Sequence, residues 1–163
     1  MIIVDHGFLR LLYNNFHKID DNMYRSNMPT PQRIKKYKKL GIKTIINLRG
    51  GKKDGGWFLE KKACEQNGIE LVNLVARSRA APDKNMIFKA NAVFNSIKYP
   101  ALIHCKSGAD RAGIIAFLFK VLIYFSSSDP CNCTYFNLTF FIISSISFTF
   151  LLKNISATIR QIT

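Results

Sequence analysis

The residues with the greatest chemical reach lie between Ile103 and Gly113, in the run I-H-C-K-S-G-A-D-R-A-G. A cysteine is the strongest nucleophile among the side chains, and an arginine is the side chain best shaped to grip a tetrahedral oxyanion by two parallel hydrogen bonds. Here Cys105 and Arg111 are six positions apart, with Gly108 between them. Ala101 to His104 reads as a short buried strand, and Arg111 opens an apolar helix. The backbone linking them must therefore curl tightly with its N–H groups turned inward, which makes an anion cradle. A thiol at the centre of such a curl meets the helix N-terminus, the converging amides and the guanidinium, all of which favour the thiolate. Cys105 is expected to be a nucleophile. Three oxygens of a phosphoryl group would sit among the amides of Lys106, Ser107, Gly108, Ala109, Asp110 and Arg111, with Arg111 as a bidentate clamp that tightens as charge spreads in the transition state. Gly108 meets the loop's need for positive φ and for an uncrowded approach of phosphate. His104 is expected to hydrogen-bond loop carbonyls and hold the cradle open. An inert buried cysteine after a core strand is the usual reading of a lone cysteine, but it leaves the histidine, glycine and arginine at these spacings unexplained.

The elements that must position this loop follow an α/β rhythm. A short strand is expected at 23–25, then a helix opened by Thr30 and Pro31 and stopped at Gly41, with Ile34, Tyr37 and Leu40 along one side. Ile42 to Leu48 reads as a buried strand, 49–56 as a glycine-rich turn, Trp57 to Asn67 as a helix capped by Gly68, and Ile69 to Val75 as a further strand. After a loop, Asp83 is an N-cap for a helix from Lys84 to Lys98, ended by Pro100. A final helix runs from Arg111 to about Phe125. These elements make an α/β domain, a small central sheet flanked by helices, over residues 1–125. Arg25 and Arg49 end strands that flank the cradle, where they would hold a second phosphate or an acidic edge of the substrate, with surface ion pairing as the plain alternative.

Composition narrows the class further. The chain has 163 residues, 48% hydrophobic and 21% charged, and a mean hydropathy of +0.03, which excludes wholesale disorder, collagen-like repeats and a multi-span membrane protein. Its net charge is +14, and the first 120 residues hold 22 of the basic and 9 of the acidic side chains. A body this basic is disposed to meet anions. The lysines of 33–39 read as the solvated face of an amphipathic helix rather than a nucleic-acid patch, and no nucleic-acid partner is expected. Four cysteines without a C-x-x-C pair argue against both a zinc site and a disulfide scaffold, so a reducing, cytoplasmic setting is expected. Asp5, His6 and Arg10 interrupt the apolar start where a signal peptide would need an unbroken run.

The signature H-C-x-x-G-x-x-R, matched by His104, Cys105, Gly108 and Arg111, resembles that of the protein-tyrosine-phosphatase superfamily, in the small bacterial branch akin to dual-specificity phosphatases. The runs at 5–10, 15–17, 24–29, 41–50 and 78–82 are similar to that branch as well. The resemblance implies a phosphotyrosine-phosphatase-like fold and a phosphocysteine intermediate hydrolysed by water, with no cofactor and no metal. It also exposes two departures. Relatives commonly carry a general-acid aspartate on a mobile loop before the nucleophile, yet residues 73–82 contain no carboxylate. Asp110, inside the cradle loop as in branches that resemble phosphoinositide phosphatases, is the expected acid, with Asp83 and Asp54 as alternatives on neighbouring loops. Ala112 stands where many relatives have Ser or Thr supporting the departing cysteine, so breakdown of the phosphoenzyme is expected to be slow. The expected substrate is a phosphotyrosine protein or a phosphorylated inositol or phosphoinositide. Two rival readings are a phosphate-binding module without turnover and a Cys-dependent sulfur transferase or arsenate reductase. Beyond residue 125 the resemblance stops. Residues 134–152 carry no charge over 19 positions, seven of them Ser, Thr or Asn, and fit a membrane anchor, a tail read in a shifted frame or an ordinary apolar helix equally well. The oligomeric state is left open.

Overall fold

The structure is a computed structural model that describes residues 14–50, 54–78 and 81–126. The expectations for the apolar start, for the run at 5–10 and for the tail at 134–152 lie outside the described residues. Among the described residues no helix is long and apolar enough to cross a membrane.

Five strands form one sheet: β1 (His17–Lys18), β2 (Met23–Ser26), β3 (Thr44–Asn47), β4 (Glu70–Asn73) and β5 (Ala101–His104). They are ordered β1-β2-β5-β3-β4, with β1 antiparallel to β2 and the other pairs parallel. Four helices complete the chain: α1 (Pro31–Lys39), α2 (Gly55–Asn67), α3 (Lys84–Ser96) and α4 (Asp110–Ser126). The expected α/β class with a small central sheet is what the chain adopts.

The period-two alternation of the central strands decides how the layers pack. Ile45 and Leu102 face Ile34 and Tyr37 of α1 and Ala63 and Cys64 of α2. Ile46 and Ile103 face the opposite way, onto Ile87, Ala90 and Phe94 of α3 and Ile115, Leu118 and Phe119 of α4. With both faces covered, β3 and β5 are buried at every position, as a parallel sheet requires. The helix starts at Thr30 and Asp83 follow the capping chemistry expected from sequence, and Asp54 adds a cap that was not expected. Thr30, Asp54 and Asp83 each accept a backbone N–H from the residue three positions on, and Gly68 closes α2 in the left-handed region at φ +60.

The differences lie at element ends and at one short strand. α2 starts two residues before Trp57, because Asp54 caps it and the glycines enter its first turn. The strands expected at 42–48 and 69–75 contract to four paired residues each. β1 spans only two residues, too few to show any period.

Candidate active site

All four parallel strands run in one direction, and register brings Ser26, His104 and Asn47 side by side at their carboxyl ends. Cys105 is the next residue on the central strand, 2% exposed. The loop from it to α4 has its polarity sorted. Its carbonyls face the β1–β2 segment, where each finds a donor: Met28 N on Lys106 O at 3.4 Å, Asn15 Nδ2 on Ser107 O at 2.9 Å and Arg25 NH1 on Gly108 O at 3.0 Å. With the carbonyls engaged outside, Gly108 N turns inward and donates to Cys105 Sγ at 3.2 Å.

Gly108 is required twice over. Its φ is +77, and a Cβ there would stand 2.6 Å from Asn27 N and from the Ser26 carbonyl carbon, both backbone atoms that cannot yield. The loop thus lies directly on the end of β2. Arg111, in the first turn of α4, is half-buried and has no hydrogen-bond or ion-pair partner among the described residues. Asp110 is the first residue of α4, exposed beside Arg111. Lys106, Ser107 and Ala109 are exposed on the loop itself.

The remaining residues singled out from sequence are spread more widely. Asp83 and Asp54 are N-caps: Asp83 Oδ1 accepts Met86 N at 2.8 Å, and Asp54 Oδ1 accepts Trp57 N at 2.9 Å. Arg49 turns toward Asp54, with NH2 at 3.2 Å from Oδ2 and NH1 at 2.9 Å from Met28 Sδ. Arg25 braces the loop from behind through Gly108 O. His104 does not bond the loop carbonyls. It is fully buried and turns its Nε2 to Glu60 Oε1, 2.5 Å away, because its strand position aims the side chain at the α2 layer.

Three residues that serve the site escaped the sequence reading: Asn15, Asn47 and Glu60. Asn15 adopts a left-handed φ of +44, which asparagine tolerates better than most side chains, but nothing local announces it. Glu60 had a signal, since it falls one helical turn before Ala63 and Cys64 on the apolar stripe of α2.

A family model described as the tyrosine phosphatase family matches residues 11–132, and the chain belongs to that family. Similarity to individual proteins points the same way. The chain is 30% identical over 123 residues to the inositol diphosphatase DSP3 of Arabidopsis thaliana, covering 71% of this chain and 58% of that one. It is 22% identical over 110 residues to the dual specificity protein phosphatase TpbA of Pseudomonas aeruginosa strain UCBPP-PA14, covering 67% and 47%. The chain thus spans about half the length of these two relatives. A crystal structure from Shewanella putrefaciens CN-32, of a protein described provisionally as a phosphatase, superposes with a TM-score of 0.66 at 19% identity, covering 91% of this chain and 95% of that one. At that identity the likeness speaks for the fold.

Proposed function

We propose that this protein hydrolyses phosphomonoesters through a phosphocysteine intermediate. The observation that carries the reading is Cys105 at the end of the central strand, its sulfur under the Gly108 N–H at 3.2 Å, with Arg111 six residues on in the first turn of α4. In the first step the Cys105 thiolate attacks phosphorus while Arg111 and the loop amides hold the equatorial oxygens. The ester P–O bond breaks, and Asp110 gives its proton to the leaving oxygen. In the second step water attacks the phosphocysteine, its proton passes to Asp110, and the P–S bond breaks to return the thiolate and release phosphate. No metal or cofactor enters either step. The buried Ala112 offers no hydroxyl to the departing sulfur, so the second step is the slower one.

The substrate class we favour is a phosphorylated inositol. The excess of basic side chains in the first 120 residues suits a polyanion, the aspartate inside the loop suits a poor leaving group, and the 30% identical relative is named for inositol diphosphates. A phosphotyrosine protein is the second reading, favoured by the similarity to a dual specificity phosphatase. The test is phosphate release by the full chain from a panel of inositol phosphates, a phosphotyrosine peptide and an aryl phosphate. Cys105→Ser should abolish release from all of them and keep binding vanadate, because the cradle is mostly backbone. Undiminished turnover by that variant would refute the covalent route. Tight anion binding with no turnover by the wild type would favour a phosphate-binding module, and thiocyanate formation a sulfur transferase.

A further inference from the structure

Beneath the cradle lies a buried polar chain that joins the signature's His104 to Glu60 and Asn47, two residues to which neither the signature nor the hydrolytic steps give a part. Glu60 on α2 is 1% exposed and His104 is 0% exposed. Glu60 Oε1 stands 2.5 Å from His104 Nε2, and Oε2 accepts Asn47 Nδ2 at 3.2 Å. Asn47 Oδ1 in turn accepts the Arg49 backbone N–H at 2.8 Å. The His104 carbonyl accepts Leu48 N at 3.0 Å, so the residue before the nucleophile is gripped by backbone on one side and by Glu60 on the other. Neither ring nitrogen of His104 makes a hydrogen bond among the described residues, leaving the ring's orientation to its close contact with Glu60.

We propose that Glu60 is a positioning residue of the candidate active site, fixing through His104 the peptide that carries Cys105. The inference rests on the catalytic reading of Cys105 given above. A carboxylate is the side chain that fits this place. One of its oxygens accepts from the Asn47 amide while the other stands against the His104 ring nitrogen. Glutamine could keep the Asn47 bond through its oxygen but would set an NH2 group, in place of an oxygen, against that ring. Asn47 cannot flip its amide to adjust, because its oxygen is committed to Arg49 N. Removing the charge therefore loosens His104, and with it the first residue of the loop, while leaving the amides that line the cradle in place. Glu60 touches neither phosphate nor sulfur and acts only through the histidine.

The test uses the full chain and two readouts. Glu60→Gln should lower kcat for an aryl phosphate by about tenfold to a hundredfold, the order expected for disturbing one buried polar contact, with KM within about twofold, since anion binding is done by the loop and Arg111. Without any substrate, iodoacetamide should label Cys105 more slowly by a similar factor, followed by mass spectrometry of its peptide. Cys64 does not compete, because burial, with Glu60 and Glu65 nearby, pushes its thiol up to about 12. In a His104→Asn background the Glu60 substitution should add nothing to either readout. An unchanged labelling rate and unchanged kcat in Glu60→Gln, or an undiminished effect of Glu60→Gln in the His104→Asn background, would overturn the proposal. If Glu60→Gln fails to fold, Asn47→Ala, which removes the amide donor to Glu60, should slow labelling by about threefold, and no change there would overturn it equally. Labelling needs no turnover, so the positioning of Cys105 can fail or stand independently of the hydrolytic reading.

Discussion

A proton must reach the leaving oxygen, and the demand for it depends on the leaving group. Nitrophenolate departs almost unaided, whereas an alkyl or inositol oxygen does not, so loss of the true acid should fall mainly on the second kind of substrate. Asp110→Asn is expected to lower alkyl phosphate turnover by about a hundredfold or more, the usual worth of a positioned acid, and aryl phosphate turnover far less. Asp83→Asn and Asp54→Asn should change both only slightly, as their carboxylates already hold helix N-termini. If Asp83→Asn proves the more damaging on poor leaving groups, the acid arrives from the α3 side and Asp110 merely shapes the loop. Gly108 gives a second expectation at this scale. Gly108→Ala combines a left-handed φ with a backbone collision against β2, which should destabilise the fold by about 3 kcal/mol in chemical denaturation and cut turnover more than tenfold. The cysteine, glycine and arginine were legible in sequence because their spacing is itself the geometry of the loop. Asn15 and Asn47 were not, and Glu60 showed only its place on the apolar stripe of α2, since their partners lie 92, 13 and 44 residues away and one sequence carries no record of such pairings.

At the scale of elements, caps and periods were readable because each depends on a few neighbouring residues. Thr30 with Pro31, Gly68 and Asp83 all end helices where local chemistry placed them, whereas Asp54, expected within a turn, caps α2. Strand ends were less legible, since pairing is settled by a neighbouring strand rather than by the run of apolar residues: Ile42, Leu48 and Leu74 are fully or nearly buried yet lie outside the paired stretches. The cap at α3 can be separated from any role in catalysis. Asp83→Ala should cost about 1 kcal/mol, near 3 °C in melting temperature for a chain of this size, while Asp83→Asn, which can cap equally well, should cost almost nothing. Neither should alter the ratio of alkyl to aryl phosphate turnover. A changed ratio would place Asp83 in the reaction after all.

Across the whole molecule the buried titratable groups set an alkaline limit. The Cys64 thiol is pushed up to about 12 from an ordinary 9, first by burial and then by Glu60 and Glu65. The Tyr99 hydroxyl is raised from 10 to about 12 by burial, with Asp20 adding to it, and burial raises Tyr37 as well. In the unfolded chain each loses its proton at its ordinary value. Their contribution to stability is therefore complete below about pH 9 and is lost as pH climbs toward 12. The urea midpoint should hold between pH 7 and 8.5 and fall steadily above 9. Cys64→Ala should remove the earliest part of that fall, and a midpoint flat to pH 11 would contradict the burial of these groups.

The three donors that collect the loop carbonyls come from residues 15, 25 and 28, and their acceptors from residues 106 to 108. On a ribosome the donors emerge first and wait, unsatisfied, while some eighty residues of helix and strand are made. Local contacts such as α1 against α2 can form in the meantime, because their chain closures are short and entropically cheap. The anion cradle cannot exist, even in part, until the strand that bears Cys105 slides in beside β2. Its order in time therefore runs against its place in function: the part of the molecule that meets substrate first is one the growing chain can complete only after β5 has been made.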